Sequence, residues 1–330
     1  MKFNYDWNLK DGYPANGVEK HHHTVMSTFA CGGGSSMGYK LAGYDVIAAN
    51  DIDPQMARIY EANHHPKQFF LCPVKDLLNK DDLPEVDVLD GSPPCSTFSM
   101  AGSREKAWGV EKKFREGQAE QELDKLFFDF LDVVDKMRPK VVIAENVEGI
   151  IRGKAIKYAN AVVARFKKMG YNVDVFLCEG SNMGLPQMRR RVFFVANRLG
   201  KHLKLKFNEK PILYKDIRRT TGTPLRTAPV TETQQNYWHE AKQGEPMGVF
   251  LAGAKKLAMD KVPFTVTAGG VLYDALECRV IYKEELDSIS SFPHDYNYLD
   301  ADPKYVQGMS VPPLMMAQVS YQVYKQLLSE

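Results

Sequence analysis

An α/β fold built on a parallel sheet is predicted, on two observations. From about Thr24 to Asn197 short β-branched or aromatic runs alternate with amphipathic stretches, which is the rhythm of βαβ units. Past Leu199 the rhythm stops: residues 200 to about 262 are basic and rich in Thr, Gln and Gly, so a separate small domain is expected there. At 330 residues, 44% hydrophobic and 25% charged, the chain can bury a core. No apolar run approaches the roughly 18 residues that a membrane span needs. The start Met1-Lys2-Phe3-Asn4-Tyr5-Asp6-Trp7 lacks a secretory layout. The five cysteines are scattered without metal-ligand spacing, so free thiols, a cytoplasmic setting and no metal are expected.

Strands are expected near Thr24-Phe29, Tyr44-Asn50, Val86-Leu89, Lys140-Ala144, Asn172-Cys178 and Arg191-Ala196, each a short apolar run that two covering layers would bury. Helices are expected over Pro54-Asn63, with Asp53 as N-cap, and over Glu120-Lys136 and Lys154-Lys168, where apolar residues recur at helical spacing. Pro312 to Leu328 reads as a further amphipathic helix. His21-His22-His23 would point to alternate faces of an extended segment and reads as solvated side chains rather than metal ligands.

Chemistry concentrates where strands end. The first strand runs into Phe29-Ala30-Cys31-Gly32-Gly33-Gly34, a turn expected to bring backbone close to a ligand without obstruction by Cβ atoms. The second ends at Asn50-Asp51-Ile52-Asp53, about 20 residues on, where a carboxylate can accept from ribose hydroxyls. This turn lacks the Gly-x-Gly-x-x-Gly order of a dinucleotide site. The third ends in Ser92-Pro93-Pro94-Cys95; two prolines fix φ twice and aim the thiol, which suggests a nucleophile. The fourth delivers Glu145-Asn146-Val147 to the same edge. Burial there disfavours the charged carboxylate, so Glu145 is expected to act as a proton donor near neutral pH. Gln187-Met188-Arg189-Arg190-Arg191 precedes the last strand and brings guanidinium groups to the thiol and the acid.

In the order and spacing of these clusters the chain resembles a C5-cytosine DNA methyltransferase over nearly its whole length. The glycine turn, Asp51-Ile52-Asp53, Gly91-Ser92-Pro93-Pro94-Cys95, Glu145-Asn146-Val147 and Gln187-Met188-Arg189-Arg190-Arg191 carry the likeness. So do Arg279, Glu284-Glu285, Ser291-Phe292-Pro293-His294-Asp295-Tyr296 and Gly308-Met309-Ser310-Val311-Pro312-Pro313. The resemblance implies a Rossmann-like sheet that binds S-adenosylmethionine (AdoMet), with residues 1–199 and 300–330 catalytic. Residues 200–299 would form a small target-recognition domain and the return segment, whose basic and aromatic residues would meet duplex DNA.

By the same resemblance Cys95, Glu145, Arg189 and Arg191 are catalytic. Phe29, Ala30, Gly32, Gly33, Gly34, Asp51, Ile52, Val74, Ser310 and Val311 hold the cofactor, and Pro93, Pro94, Asn146 and Gln187 hold the base. Cys95 would add to cytosine C6 of a flipped-out base while Glu145 serves N3. A tRNA cytosine methyltransferase of the same fold and an inactive DNA-binding relative are the alternatives. The RNA-acting members carry a Cys-Phe-Thr signature in the recognition region, and no cysteine lies between Cys178 and Cys278. A monomer is expected, and the resemblance leaves open a cognate restriction endonuclease, a phage-borne enzyme or one that stands alone. Four positions depart from the family pattern. Cys31 replaces a glycine, so its backbone is expected in a conformation open to side chains. Cys72-Pro73-Val74 lacks the usual acid, Met309 replaces an asparagine, and Leu123 an arginine.

Overall fold

The computed structural model describes residues 2–94, 125–248, 251 and 253–329. Cys95 and Leu123 therefore lie outside the described residues, as does the first part of the helix expected from Glu120. A seven-stranded sheet is built from β1 (Thr24–Thr28), β2 (Asp45–Asp51), β3 (Gln68–Leu71), β4 (Val88–Gly91), β5 (Val141–Val147), β6 (Asn172–Glu179) and β7 (Arg190–Asn197). Its order is β3-β2-β1-β4-β5-β7-β6.

Strands β1 to β5 pair in parallel, but β7 runs antiparallel between β5 and β6. The parallel sheet expected from the βαβ rhythm is formed by β1 to β5, and β7 is the exception within it. A parallel return needs a crossover of a dozen or more residues, whereas the ten residues 180–189 join β6 to β7, so the chain reverses. Strand β3 was not expected from sequence: at four residues, with only Phe70 buried, it is too short to show a period.

Helices α1 (Gly34–Leu41) and α2 (Pro54–His64) follow β1 and β2, and α3 (Leu126–Met137) and α4 (Ile156–Lys168) flank β5. Asp53 caps α2, its Oδ1 accepting from Gln55 N at 2.8 Å, with Pro54 at the first turn. Alternation along β5 divides two cores. Val141 and Ile143 join the apolar cluster of α1 with Leu314 and Met315, while Val142 and Ala144 join Phe127, Phe130 and Phe166 of α3 and α4. The helix expected over Pro312 to Leu328 is α9 (Pro313–Val323), and a separate helix that the sequence reading did not include, α8 (Pro303–Met309), precedes it, both numbered after the elements below. The residues Tyr324–Leu328 continue α9 as one wider turn. The Pro312-Pro313 pair imposes the break, since Pro312 is extended at φ −59° and ψ 130° and Pro313 opens α9.

Between these parts lie α5 (Tyr214–Ile217), α6 (Glu232–Glu240), a two-stranded sheet of β8 (Ala254–Lys256) and β9 (Val271–Tyr273), and α7 (Lys283–Ser290). They surround small cores of their own, one around Tyr214, Leu257 and Leu286 and one around Trp238 and Met247. The boundaries expected at 199/200 and 299/300 are not where the packing changes. Leu203 sits in the main core, Lys201 Nζ donates to Leu327 O at 3.1 Å, and Phe292, Tyr296 and Tyr298 rejoin that core.

A buried charge network ties α5 and α7 to β9. Asp274, fully buried, accepts from Arg218 Nε at 2.8 Å, Arg279 Nη2 at 3.1 Å and the Tyr214 hydroxyl at 2.7 Å. Burial acts to raise the Asp274 pKa; the bonds from Arg218, Tyr214 and the Glu277 and Leu276 N–H groups outweigh it and hold the carboxyl below its ordinary value. A carboxyl with a depressed folded pKa stabilises the fold above the ordinary carboxylate range and loses that contribution as pH falls below about 4. Asp274→Asn is therefore expected to cost about 3 kcal/mol at pH 7, as for a broken buried pair. The difference should shrink below pH 4, which urea denaturation of both proteins across pH will read.

No helix among the described residues is long and apolar enough to cross a membrane. None of the described His, Cys, Asp and Glu residues forms a group of three that could hold a metal ion.

Candidate active site

A cavity of about 410 Å³ opens beyond the carboxyl ends of β1, β2, β4 and β5, where open α/β sheets place ligands. One end is walled by Phe29, Ala30, Cys31, Asp51, Ile52 and Val74; the other by Pro93, Pro94, Glu145, Asn146, Arg189 and Arg191. Gly308, Ser310 and Val311 of the last motif close one side, and Val266, Thr267 and Ala268 reach in from the small domain.

The glycine turn is shaped by two backbone donors that Asp51 collects: Oδ2 accepts from Cys31 N at 2.7 Å and Oδ1 from Asp53 N at 2.9 Å. Burial raises the Asp51 pKa, against the hydrogen bonds it accepts. Cys31 is held at φ +47° and Phe29 at φ +53°. This corrects the expectation for Cys31, which occupies the left-handed region that side chains seldom adopt, at a cost of about 1 kcal/mol or more. Burial, and then Asp51, push the Cys31 thiol up to about 12, so it stays protonated near neutral pH.

The three glycines also make room for other segments to pack on the turn. Gly32, Gly33 and Gly34 are not among the cavity walls. A Cβ on Gly32 would run into Val306, on Gly33 into the His64 ring, and on Gly34 into the Val311 carbonyl. They are glycines so that α2, α8 and the last motif can close on the turn; the Tyr296 hydroxyl adds a bond to Gly32 O at 2.5 Å. Gly33, at φ +74°, bears both constraints. Gly33→Ala is expected to cost about 3 kcal/mol through strain and overpacking. It should weaken cofactor binding although Gly33 does not touch the cavity, and thermal melting with and without cofactor measures both effects.

At the other end, strand β5 presents Glu145 and Asn146 in succession. Glu145 is 7% exposed, and Arg191 Nε lies 2.8 Å from its Oε1. That oxygen has no aligned hydrogen bond among the described residues, and neither has the buried Ser92 hydroxyl. Both belong to cavity-lining residues and are ready to meet a polar ligand. The 2.8 Å pair brings the Arg191 guanidinium to the acid at this end of the cavity.

Three residues expected at the base or the active-site loop engage main chain. Asn146 Nδ2 donates to Pro93 O at 3.1 Å and its Oδ1 accepts from Val147 N at 2.9 Å, so it fixes the loop that leads to Cys95. Gln187 is fully buried, bonded to Ile289 O at 3.0 Å and Val266 N at 3.1 Å, and it stands behind the cavity wall. Arg189, 2% exposed, donates to Val266 O at 3.0 Å and Ser310 O at 2.9 Å, so it fastens the small domain and the last motif together at the cavity. Asn50, not singled out in the sequence, secures the Cys72 turn by donating to Phe70 O and Cys72 O, both at 2.8 Å. Tyr305 also lines the cavity, and no sequence pattern marks it.

A sheet of this order with acid, amide and guanidinium groups gathered beside a turn gripped by a carboxylate defines a group-transfer enzyme of the Rossmann-like methyltransferase class. The chain belongs to the C-5 cytosine-specific DNA methylase family, which matches residues 23–246. It is 27% identical over 256 residues to the Type II methyltransferase M.NgoPII of Neisseria gonorrhoeae, covering 74% of this chain and 72% of that one. To the Type II methyltransferase M1.HphI of Haemophilus parahaemolyticus it is 25% identical over 342 residues, covering 93% and 88%. A prophage-encoded E. coli chain described as a DNA modification methyltransferase shares the fold at a TM-score of 0.73 and 18% identity, over 93% of this chain and all of that one. The enzyme is thus an AdoMet-dependent DNA cytosine-5-methyltransferase.

Proposed function

We propose that Cys95 and Glu145 carry out the transfer on a cytosine flipped from duplex DNA into the cavity. The observation that supports this most is one continuous cavity joining the Asp51 end to the Glu145 and Arg191 end. AdoMet fits the first end, where the Asp51 carboxyl stands between the apolar walls of Phe29, Ile52 and Val74; when bound it supplies the methyl group. Asp51 and Ile52 would hold its ribose, Val74 its adenine, and Ser310 and Val311 its tail. Cys95 thiolate forms the S–C6 bond, the ring's electron pair moves toward N3, and Glu145 gives N3 its proton; C5 thereby becomes nucleophilic. After methylation, loss of the C5 proton and expulsion of the Cys95 thiolate restore aromaticity. Pro93 O accepts from the N4 amino group with its second lone pair, while Arg191 orients Glu145 and Arg189 holds the walls.

The recognition unit spans about residues 208–290, where packing leaves and rejoins the main core, and meets DNA as part of a monomer. The Type II names of the relatives support a partner endonuclease with the same target site. Labelled AdoMet offered with duplex DNA and with tRNA tests the reading. Label should enter duplex DNA and fall steeply with salt as phosphate contacts are lost; preferential labelling of tRNA would overturn it. Mapping methylated cytosines in host DNA with the gene present and absent then reports the target sequence.

A further inference from the structure

The parts of an S-adenosyl nucleoside follow one another covalently: the sulfonium is attached at C5′ of the ribose and the purine at C1′. The sheet order β3-β2-β1-β4-β5 lays the cavity out along the same line. Glu145, on β5, marks the end where the methyl group is delivered, and Asp51, at the end of β2, stands where a carboxyl meets ribose hydroxyls. A ribose at β2 with its sulfonium side turned toward β4 and β5 sends the purine the other way. It arrives at the turn that follows β3, which is Cys72-Pro73-Val74, and Cys72 and Val74 both line the cavity there.

N9 of the purine carries the ribose, so the edge that reaches this turn is the far one, with N1 and the C6 amino group. In adenine the amino group donates and N1 accepts; reading both takes one acceptor and one donor from the protein. The donor is present, because Val74 N–H makes no hydrogen bond among the described residues. The acceptor is a poor one. Cys72 is half-buried and offers a thiol, a weak acceptor, which burial keeps protonated by raising its pKa. The Cys72 carbonyl is held by Asn50 Nδ2 at 2.8 Å, and the Pro73 carbonyl accepts from Asp76 N at 2.9 Å. The nearby carboxylates belong to the ribose side. Asp51 grips Cys31 N and Asp53 N, and Asp53 Oδ1 caps α2. Phe29 and Ile52 add only apolar surface to this end.

We propose that this site reads the purine of its cofactor at N1, through Val74 N–H, and leaves the C6 substituent unread, with Cys72 the residue that sets this tolerance. This rests on the placing of AdoMet with its ribose at Asp51. A purine without the amino group loses no more than a weak N–H···S contact. A 6-oxo purine carries a hydrogen on N1, so it sets donor against donor at Val74.

Equilibrium binding to the full chain without DNA, read by calorimetry, tests this with S-adenosylhomocysteine, its 6-deamino analogue and its 6-oxo analogue. The deamino analogue is expected within about threefold of the parent, and the 6-oxo analogue at least about tenfold weaker. Cys72→Asp sets a strong acceptor at the C6 position and should make the parent preferred over the deamino analogue by at least about tenfold. Cys72→Asn should move that ratio the same way by less, and it carries the test if Cys72→Asp fails to fold. A larger loss with the deamino analogue on the wild type, equal binding of the parent and the 6-oxo analogue, or an unchanged ratio in the folded Cys72 variants would overturn the proposal. Asp51→Asn separates it from the reading on which it rests. If that variant binds the parent as tightly as the wild type, the ribose is not at Asp51 and the placing itself fails. If it binds at least about tenfold more weakly while the Cys72 variants keep the wild-type ratio, only the role of Cys72 is lost.

Discussion

Cys95→Ala is expected to lower methyl transfer to duplex DNA by at least about 10⁴-fold, because removing a covalent nucleophile removes the path and not just a contact. Cytosine C5 has little nucleophilicity while the ring is aromatic, and the other described thiols lining the cavity, Cys31 and Cys72, both have pKa values raised by burial. Cys31 lies across the same cavity, but its thiol is held near pKa 12 and its main chain is locked by Asp51, so it will not substitute. AdoMet affinity, measured by equilibrium binding without DNA, should stay within about threefold of wild type, since the thiol is assigned to the base. A variant that still turns over would exclude C6 addition.

Glu145→Gln is expected to lower kcat by about 10² to 10⁴-fold, the range for loss of a positioned general acid. The amide keeps nearly the same shape but has no acidic proton and can no longer balance Arg191. A guanidinium 2.8 Å from the replaced oxygen then lacks its counter-charge in a poorly solvated pocket, so a modest stability loss of about 1–3 kcal/mol should accompany the kinetic loss. The two are separable: kcat measured well below the melting transition reports chemistry alone. Binding of AdoMet should again be little changed, because Glu145 belongs to the other end of the cavity.

Much of the sheet was legible in the sequence because β1, β2, β4 and β5 are buried on both faces and show as apolar runs. Strand β3 and the reversal of β7 were not legible. One is too short for a period, and the other depends on the length of a connection rather than on the strand itself. The site was legible as a set of residue types and less so as a set of roles. Glycines in a turn suggest a cradle, yet what would strike a Cβ here is His64, Val306 and Val311, which are distant in sequence or lie in the last motif. Arg189, Gln187 and Asn146 look like polar groups for a substrate, but each has main-chain partners brought by other segments. Cys72 reads as one scattered thiol among five, and only the strand order shows that it lines the cavity beyond Asp51.

The most direct measurement of the central claim uses duplex DNA with 5-fluorocytosine at the mapped target. Fluorine at C5 blocks the loss of the proton that would let Cys95 leave, so the account predicts a denaturation-resistant enzyme–DNA adduct that forms only with AdoMet. Peptide mass analysis should place the link on Cys95, and Cys95→Ala should give none. An enzyme that methylates ordinary cytosine at this site yet yields no adduct, or one linked through another residue, would contradict the account.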